Sequence, residues 1–363
     1  MLLSWRRYFA VPAFLLLATP LAVGIVRPDS PAAVLKEGRF LAPAPGMPET
    51  GAAWLALPKE LDAYLRDHFG LRQTLIRAHK DLTKPLLGFG NDYVLVGRNG
   101  RLFYLGEDTV RQSAGLILRD ERVAQTSALL ARINAALAAR GTKFLVAIPP
   151  NSSTIYQDDL PLWAQRRGRE TEYDLLLRQL KAKGVRAIDL RPVEMEAGAK
   201  GPAYYMHDTH WTAAGALAGF NAIVEADGRP DWRLDPKSAL AKPTPHEGGD
   251  LARMLGAEGL TETAPDLALP YPRKQLLSAN PFSDYVATWS RPGPTIMVFG
   301  DSFTGGFVDR MLLHAGRIIW LEHRKCAFDW RMIDRFHPDE VWWMPTERFL
   351  ICDPGAKPLD FTG

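Results

Sequence analysis

Two short runs at residues 144–148 and 296–299 constrain this chain most, because every position in them is apolar. A strand with no polar face must be covered on both sides, as happens when helices pack on both faces of a parallel sheet. The segments around these runs fit that demand. Residues 120–140 are acidic at their start, carry Leu130, Ile133 and Leu137 on one helical face, and stop at Gly141. Residues 170–183 form a second predicted helix, closed by Gly184, and 185–190 a second strand. A third helix is expected over 212–226, with Thr212 as its N-cap. Residues 317–321 and 340–344 are further candidate strands. This alternation predicts an α/β domain with a mostly parallel sheet and helices on both faces. In such a fold, ligands bind beyond the carboxyl ends of the strands.

The flanks read differently. Arg6 and Arg7 precede an uncharged, largely apolar stretch at 8–26, about long enough to span a bilayer. Pro12 and Pro20 shorten its helix, so a cleaved signal peptide competes with an uncleaved signal anchor. Either reading exports the rest of the chain to the periplasm, tethered to the inner membrane if the segment stays. Residues 28–58 hold six prolines, Pro28, Pro31, Pro43, Pro45, Pro48 and Pro58, and read as a linker. The folded domain is expected over 59–363. It begins with a helix carrying Leu61, Leu65, Phe69, Leu75 and Ile76, and then a hairpin over 94–104 around Asn99 and Gly100. Residues 228–292 are proline-rich with little periodicity and read as a long insertion bordering the substrate cleft. A net charge of +3 is too small to suggest nucleic-acid binding. With two cysteines, Cys326 and Cys352, the chain has no cysteine-rich zinc cluster. They either pair in an oxidising compartment or stay as two buried thiols.

The chemistry concentrates at two places. The apolar strand at 296–299 runs into Gly300, Asp301 and Ser302, where the glycine permits a tight turn and the serine lands at the strand's carboxyl end. A helix beginning there would aim free N–H groups at charge developing on an acyl oxygen. The same residues would also serve as an ordinary helix cap. His207, Asp208, Thr209, His210 and Trp211 lie between a strand and a helix, again at the expected active end. A serine hydroxyl needs an imidazole to take its proton, and the imidazole needs a carboxylate to fix its tautomer. Ser302, His210 and Asp208 supply these three roles, while His207 reads as structural. The rival use of His207, Asp208 and His210 is as zinc ligands. His323 and the remaining histidines read as surface or packing residues.

Gly300-Asp301-Ser302-Phe303 after a strand, with Asp208-Thr209-His210-Trp211 elsewhere, resembles the SGNH (GDSL-type) hydrolases. Most of that superfamily places the serine first. Here the Asp-His motif comes first, an order similar to the circularly permuted SGNH-like proteins of bacterial exopolysaccharide O-acetylation, the AlgJ/AlgX type of alginate biosynthesis. Residues 96–104, 148–156, 249–251 and Glu347-Arg348 also match that layout, though Ser152 stands where the family often has lysine. The resemblance implies an acyl-enzyme on Ser302 and needs no metal or organic cofactor. It implies a secreted polysaccharide acceptor, and as partners a membrane-bound O-acyltransferase and other polysaccharide-secretion proteins. Asn151 and Gly249 would join the Ser302 N–H in the oxyanion site, with Asp250, Trp211 and Tyr156 near the substrate. Tyr104, Trp163, Tyr204, Tyr205 and Tyr285 are further stacking candidates, and Arg111, Arg191 and Arg253 candidate uronate contacts. A polysaccharide acetyl esterase with the same triad, and a non-catalytic polysaccharide-binding scaffold, are the alternatives.

Overall fold

The computed structural model describes eight positions between 12 and 23 and then residues 42–67, 90–277, 284–323, 326 and 328–352. The expected export segment at 8–26 lies largely outside the described residues, as do the first part of the linker and the helical pattern at Phe69, Leu75 and Ile76. Among the described residues, no helix is long and apolar enough to cross a membrane. The chain divides into two compact units. The first, Met1–Gly90 with Arg253–Gly256, contains helix α1 (Gly51–Asp67). The linker reading therefore ends at Gly51. Ala52, Ala53, Leu55, Ala56 and Leu57 before Pro58, and Leu61, Ala63 and Leu65 after it, are good helix formers, and the proline is carried inside the helix.

The second unit, Asn91–Ala252 with Ala257–Gly363, carries the sheet. It opens with the hairpin β1 (Val94–Val96) and β2 (Leu102–Tyr104), paired antiparallel. Asn99 and Gly100 turn it with φ of 59° and 81°, the left-handed region these two residue types tolerate. Then follow α2 (Asp120–Ala138), β3 (Lys143–Ala147), α3 (Glu172–Ala182), β4 (Ala187–Ile188), α4 (Arg191–Lys200) and α5 (Ala213–Ala226). Next come β5 (Thr244–Glu247), β6 (Thr261–Ala264), β7 (Arg273–Leu276), β8 (Tyr285–Thr288) and β9 (Thr295–Gly300). The unit closes with α6 (Val308–Met311), β10 (Arg317–Glu322), α7 (Trp330–Phe336) and β11 (Glu340–Met344). Capping fixes the starts of two helices. The Thr171 and Asp174 side chains form a capping box on α3, and Thr212 accepts from Ala214 N and Gly215 N at the head of α5.

Seven strands form one mixed sheet in the order β4-β3-β11-β9-β10-β8-β7. The pairs from β4 through β10 are parallel, and β8 and β7 add on antiparallel. The insertion is thus not structureless. It supplies β7 and β8 to the sheet and folds β5 against β6 as a separate hairpin. Its prolines hid this, and exposed strands such as β7, with the sequence Arg-Lys-Gln-Leu, give no apolar signal. The predicted strand at 185–190 shrinks to the two residues of β4 at the sheet edge.

The central strands show why continuous apolar runs were needed. Phe144, Val146, Met297, Phe299, Val341 and Trp343 pack on one face against α2, α3 and α7. Leu145, Ala147, Ile296, Val298, Trp342 and Met344 pack on the other against α5. Successive side chains of a strand point to opposite faces, so two cores need an apolar residue at every position. Cys326 and Cys352 are joined as a disulfide, closing a loop across 26 residues with their Cα atoms 5.2 Å apart. A loop of that size contributes about 3 kcal/mol by limiting the unfolded chain.

Candidate active site

Ser302 sits just past the end of β9 and is exposed, while its neighbours Asp301 and Phe303 are buried. Thr304 N and Gly305 N both donate to Asp301 O at 3.0 Å, which coils the chain into a tight turn. Gly300 is required for that turn, since a Cβ there would lie 1.9 Å from Thr304 Oγ1. Asp301 does not reach solvent. Its carboxylate accepts from Phe303 N at 3.0 Å and from Thr346 N at 2.8 Å, tying the serine turn to the end of β11. The expected helix does not begin at Ser302. The chain continues as turns until α6 at Val308, so no helix terminus is aimed at the serine. The Ser302 N–H instead stands with no protein acceptor among the described residues.

The second element comes from the loop between α4 and α5. His210 Nδ1 lies 2.6 Å from Asp208 Oδ1, and His210 Nε2 lies 2.8 Å from Ser302 Oγ. The first contact assigns the ring proton to Nδ1 and leaves the Nε2 lone pair facing the serine. The loop is braced by carboxylates of the insertion. Glu262 on β6 accepts from Met206 N at 2.6 Å and His207 N at 3.0 Å. Asp250 accepts from Thr209 N at 2.7 Å and Thr209 Oγ1 at 2.5 Å, and its own N–H donates to Asp208 Oδ2 at 2.8 Å. Gly249 makes that approach with φ of 129°, and a Cβ there would lie 2.2 Å from His207 O. Burial on its own would raise the Asp208 carboxyl. The hydrogen bond and charge of His210 and the N–H groups of His210 and Asp250 outweigh it and hold Asp208 at about 2.

Asp208, His210 and Asp250 form the grouping among the described residues whose ligand atoms lie close enough to share a metal ion, all within 4.8 Å of one another. Asp250 takes the place that the zinc reading gave His207, which is buried and turned to Glu262, its Nδ1 3.4 Å away. Every carboxylate oxygen of Asp208 and Asp250 already accepts an N–H or O–H. Oδ1 of each accepts two donors and Oδ2 one, so a cation would have to share the remaining Oδ2 lone pairs with the hydrogen bonds that fix the histidine loop.

Other candidates fall away from the opening. Trp211 is 2% exposed and donates Nε1–H to Phe303 O at 2.7 Å, so it supports the serine turn and cannot stack on a sugar. Tyr204 is fully buried, bonded to Pro150 O. The Tyr156 ring lies 3.6 Å beneath the Arg101 guanidinium, and its hydroxyl accepts from Ala203 N at 3.1 Å, a structural role. Asn151 is 2% exposed, and its N–H donates to Glu347 Oε2. Both atoms of its side-chain amide are buried without a hydrogen-bond partner among the described residues. Arg191 is neutralised by Asp174 and Asp189, and Arg111 pairs with Asp108.

Two buried groups near the site, one matched only as part of the family layout and the other read as surface or packing, were given no role at the site from sequence. His323 is 4% exposed and stands behind the nucleophile, its Nε2 3.9 Å from Asp301 Oδ2. Burial lowers its pKa, with Asp301 working against the shift and Arg348 adding to it. Glu347 is fully buried, accepting from Asn151 N at 2.8 Å and Thr154 Oγ1 at 2.6 Å through one oxygen. Its other oxygen has no hydrogen-bond partner. Burial pushes Glu347 up to about 7 against those two donors. The signal for both lies in position, just past β10 and β11 at the carboxyl end of the sheet.

Residues 94–351 match the family described as the SGNH hydrolase-like domain of acetyltransferase AlgX. A curated relative, the probable alginate O-acetylase AlgJ of Pseudomonas putida (strain KT2440), is 26% identical over 207 residues, 56% of this chain and 52% of that protein. The chain thus spans about half the length of the curated relative it matches. Among solved structures, the O-acetyltransferase domain of Pseudomonas putida AlgJ superposes with a TM-score of 0.50 at 20% identity, covering 73% of this chain and 95% of that one. Bacillus cereus PatB1 superposes with a TM-score of 0.53 at 15% identity, covering 72% and 98%. At these identities the superpositions speak for the fold.

Proposed function

This chain belongs to the family of the SGNH hydrolase-like acetyltransferase domain of AlgX, and on that premise we propose that it is a serine O-acetyltransferase acting on hydroxyls of a secreted polysaccharide. The observation that carries the proposal is the relay from Asp208 through His210 to Ser302, with contacts of 2.6 and 2.8 Å. In the proposed first half-reaction, Ser302 Oγ attacks the acetyl carbonyl as its proton passes to His210 Nε2. The tetrahedral oxyanion forms beside the Ser302 N–H, with the Gly249 N–H as a second candidate donor. Collapse expels the donor's leaving group, which takes the proton from His210 and leaves acetyl-Ser302. In the second half, a sugar hydroxyl gives its proton to His210 and attacks the acyl carbon. The sugar acetate departs and Ser302 is regenerated. Asp208 keeps the imidazole in the right tautomer and stabilises the imidazolium in both halves.

The permuted motif order belongs to the same reading, as does a periplasmic domain on an N-terminal segment receiving acetyl groups from a membrane-bound O-acyltransferase. The polymer would be alginate or a similar exopolysaccharide. Purified protein given a chromogenic acetyl ester with and without oligosaccharides tests the proposal. Acetylated sugar, detected by mass and absent with Ser302→Ala, is the expected outcome. Ester hydrolysis with no acetylated sugar for any acceptor, and loss of acetyl from acetylated polymer, would make the protein an esterase.

A further inference from the structure

The loop that carries His210 is a narrow antiparallel ladder, one arm of which is held from outside. Thr212 N donates to Ala203 O at 2.8 Å, Tyr204 and Trp211 form a β-bridge, and Tyr205 N donates to His210 O at 3.2 Å. The backbone of His210 therefore takes its place from Tyr205. The arm 203–205 rests in turn on two stacked side chains. Arg101 Nη1 donates to Tyr205 O at 3.0 Å. The Tyr156 hydroxyl accepts from Ala203 N at 3.1 Å and Tyr204 N at 3.4 Å, and its ring lies 3.6 Å from the Arg101 guanidinium. Arg101 Nε donates to Asp159 Oδ2 at 2.8 Å, and Asn99 Nδ2 donates to Asp159 Oδ1 at 3.0 Å. Gly97 lets the β1–β2 hairpin seat this closely, since a Cβ there would lie 2.5 Å from Asp159 O. Leu102 N donates to Met206 O at 2.8 Å and extends the grip by one residue.

We propose that Arg101 is a positioning residue for His210: with Tyr156 stacked on it, it clamps residues 203–205 and so sets the approach of the imidazole to Ser302. The proposal rests on the relay from Asp208 through His210 to Ser302 and holds for any acyl acceptor. Three demands fall on one side chain: Nε to Asp159, Nη1 to Tyr205 O, and a flat face to the Tyr156 ring. A guanidinium meets all three at once, because its donors point outward in the plane and leave the face free. A lysine ammonium is a point charge with no such face. Asp208 and His210 are two residues apart, so their contact is local. The 2.8 Å contact from His210 Nε2 to Ser302 Oγ joins residues 92 apart, and it depends on where the whole ladder stands. Trp211 ties the arm 210–212 to Phe303 O, and Asp250 and Glu262 brace the turn between the arms. The Arg101–Tyr156 clamp is the support of the remaining arm. A misplacement of about 1 Å at a reacting group can cost about 100-fold in rate.

Single-turnover release of the chromogenic group from an acetyl ester, with protein in excess, tests this. Competent sites are counted by mass after exhaustive labelling with a serine-reactive sulfonyl fluoride, which separates the rate per site from the fraction folded. Arg101→Met should lower the saturating rate per site by about 10- to 100-fold, while the protein concentration at half-saturation changes by less than about 2-fold. Arg101→Lys should fall between that variant and the unmodified protein. Tyr156→Phe keeps the ring under the guanidinium and deletes only the acceptor for Ala203 N and Tyr204 N. It should lose about 3- to 10-fold, and it carries the test if Arg101→Met does not fold. The slow residual reaction of His210→Ala supplies a second readout. A clamp that acts through His210 costs that reaction less than about 2-fold, whereas a general loosening of the fold cuts it as deeply as it cuts the unmodified protein. Unchanged rates per site in Arg101→Met and Tyr156→Phe, or equal losses with and without His210, would overturn the assignment. If Ser302→Ala is inactive in that case, the relay stands and the clamp alone is rejected. Normal release by Ser302→Ala would reject the relay, and the clamp with it.

Discussion

Two carboxyl groups at the same end of the sheet, Asp208 and Glu347, have opposite fates. Asp208 is held at about 2 and Glu347 is pushed up to about 7. Burial opposes the charge in both cases. The difference lies in what surrounds the oxygens. Asp208 keeps 20% of its side chain exposed, and its two oxygens take donors from His210 Nδ1, His210 N and Asp250 N. Glu347 is sealed, with both donors on one oxygen and the other unpartnered. A carboxylate kept charged by matched donors can steady an imidazolium. One left short of donors favours its proton, and serves as a neutral strut between the end of β11 and the short helix Ser152–Ile155.

The largest effect expected from this contrast is on rate. Asp208→Asn preserves shape but favours the wrong tautomer of His210, so turnover should fall by about 10²–10⁴ with little change in the folded structure. Single-turnover release of the chromogenic group from the ester reads this out, and near-normal acylation would mean Asp208 is not the orienting group.

Glu347→Gln should act on stability instead. The folded pKa of Glu347 is raised above its unfolded value, so the neutral form is favoured by folding. Its penalty grows as pH climbs from about 4.5 to about 7 and is constant above, at roughly 3 kcal/mol. The variant should therefore gain on the unmodified protein across that window, by up to that amount in urea unfolding at pH 8 relative to pH 4. A pH-independent difference would show that Glu347 is ionised in the fold.

Asp208 has the opposite sign. Its folded pKa lies below the ordinary 3.8, so it contributes stability above about pH 4 that is lost as pH falls towards 2, roughly 2 kcal/mol in all. Urea midpoints at pH 5 and 2.5 should converge on those of Asp208→Asn at the lower pH. The smallest effect belongs to the brace. Asp250→Ala frees Thr209 but leaves the backbone N–H on Asp208, so kcat should drop by about 10-fold with KM little changed, about 1.4 kcal/mol. A loss as large as that of Asp208→Asn would place Asp250 in the relay itself.

Local chemistry was enough to write much of this protein. All-apolar runs needed two covered faces, so β3 and β9 could be read from sequence, and with them a sheet between helical layers. The Thr212 cap, the Asn99-Gly100 turn and the Gly300 bend each express a short-range steric or hydrogen-bonding rule, and Asp208, His210 and Ser302 carry groups whose chemistry is legible from residue type. Tertiary structure decided the rest, because those outcomes depend on groups far apart in the chain. It added β7 and β8 antiparallel at the edge, where half-exposed strands leave no apolar pattern. It joined Cys326 to Cys352, turned Trp211 and Tyr156 inward, and made Asp250 and Glu262 the supports of the histidine loop. Only the folded chain fixes how many donors reach each carboxylate, so only it could keep Asp208 charged and favour the proton on Glu347.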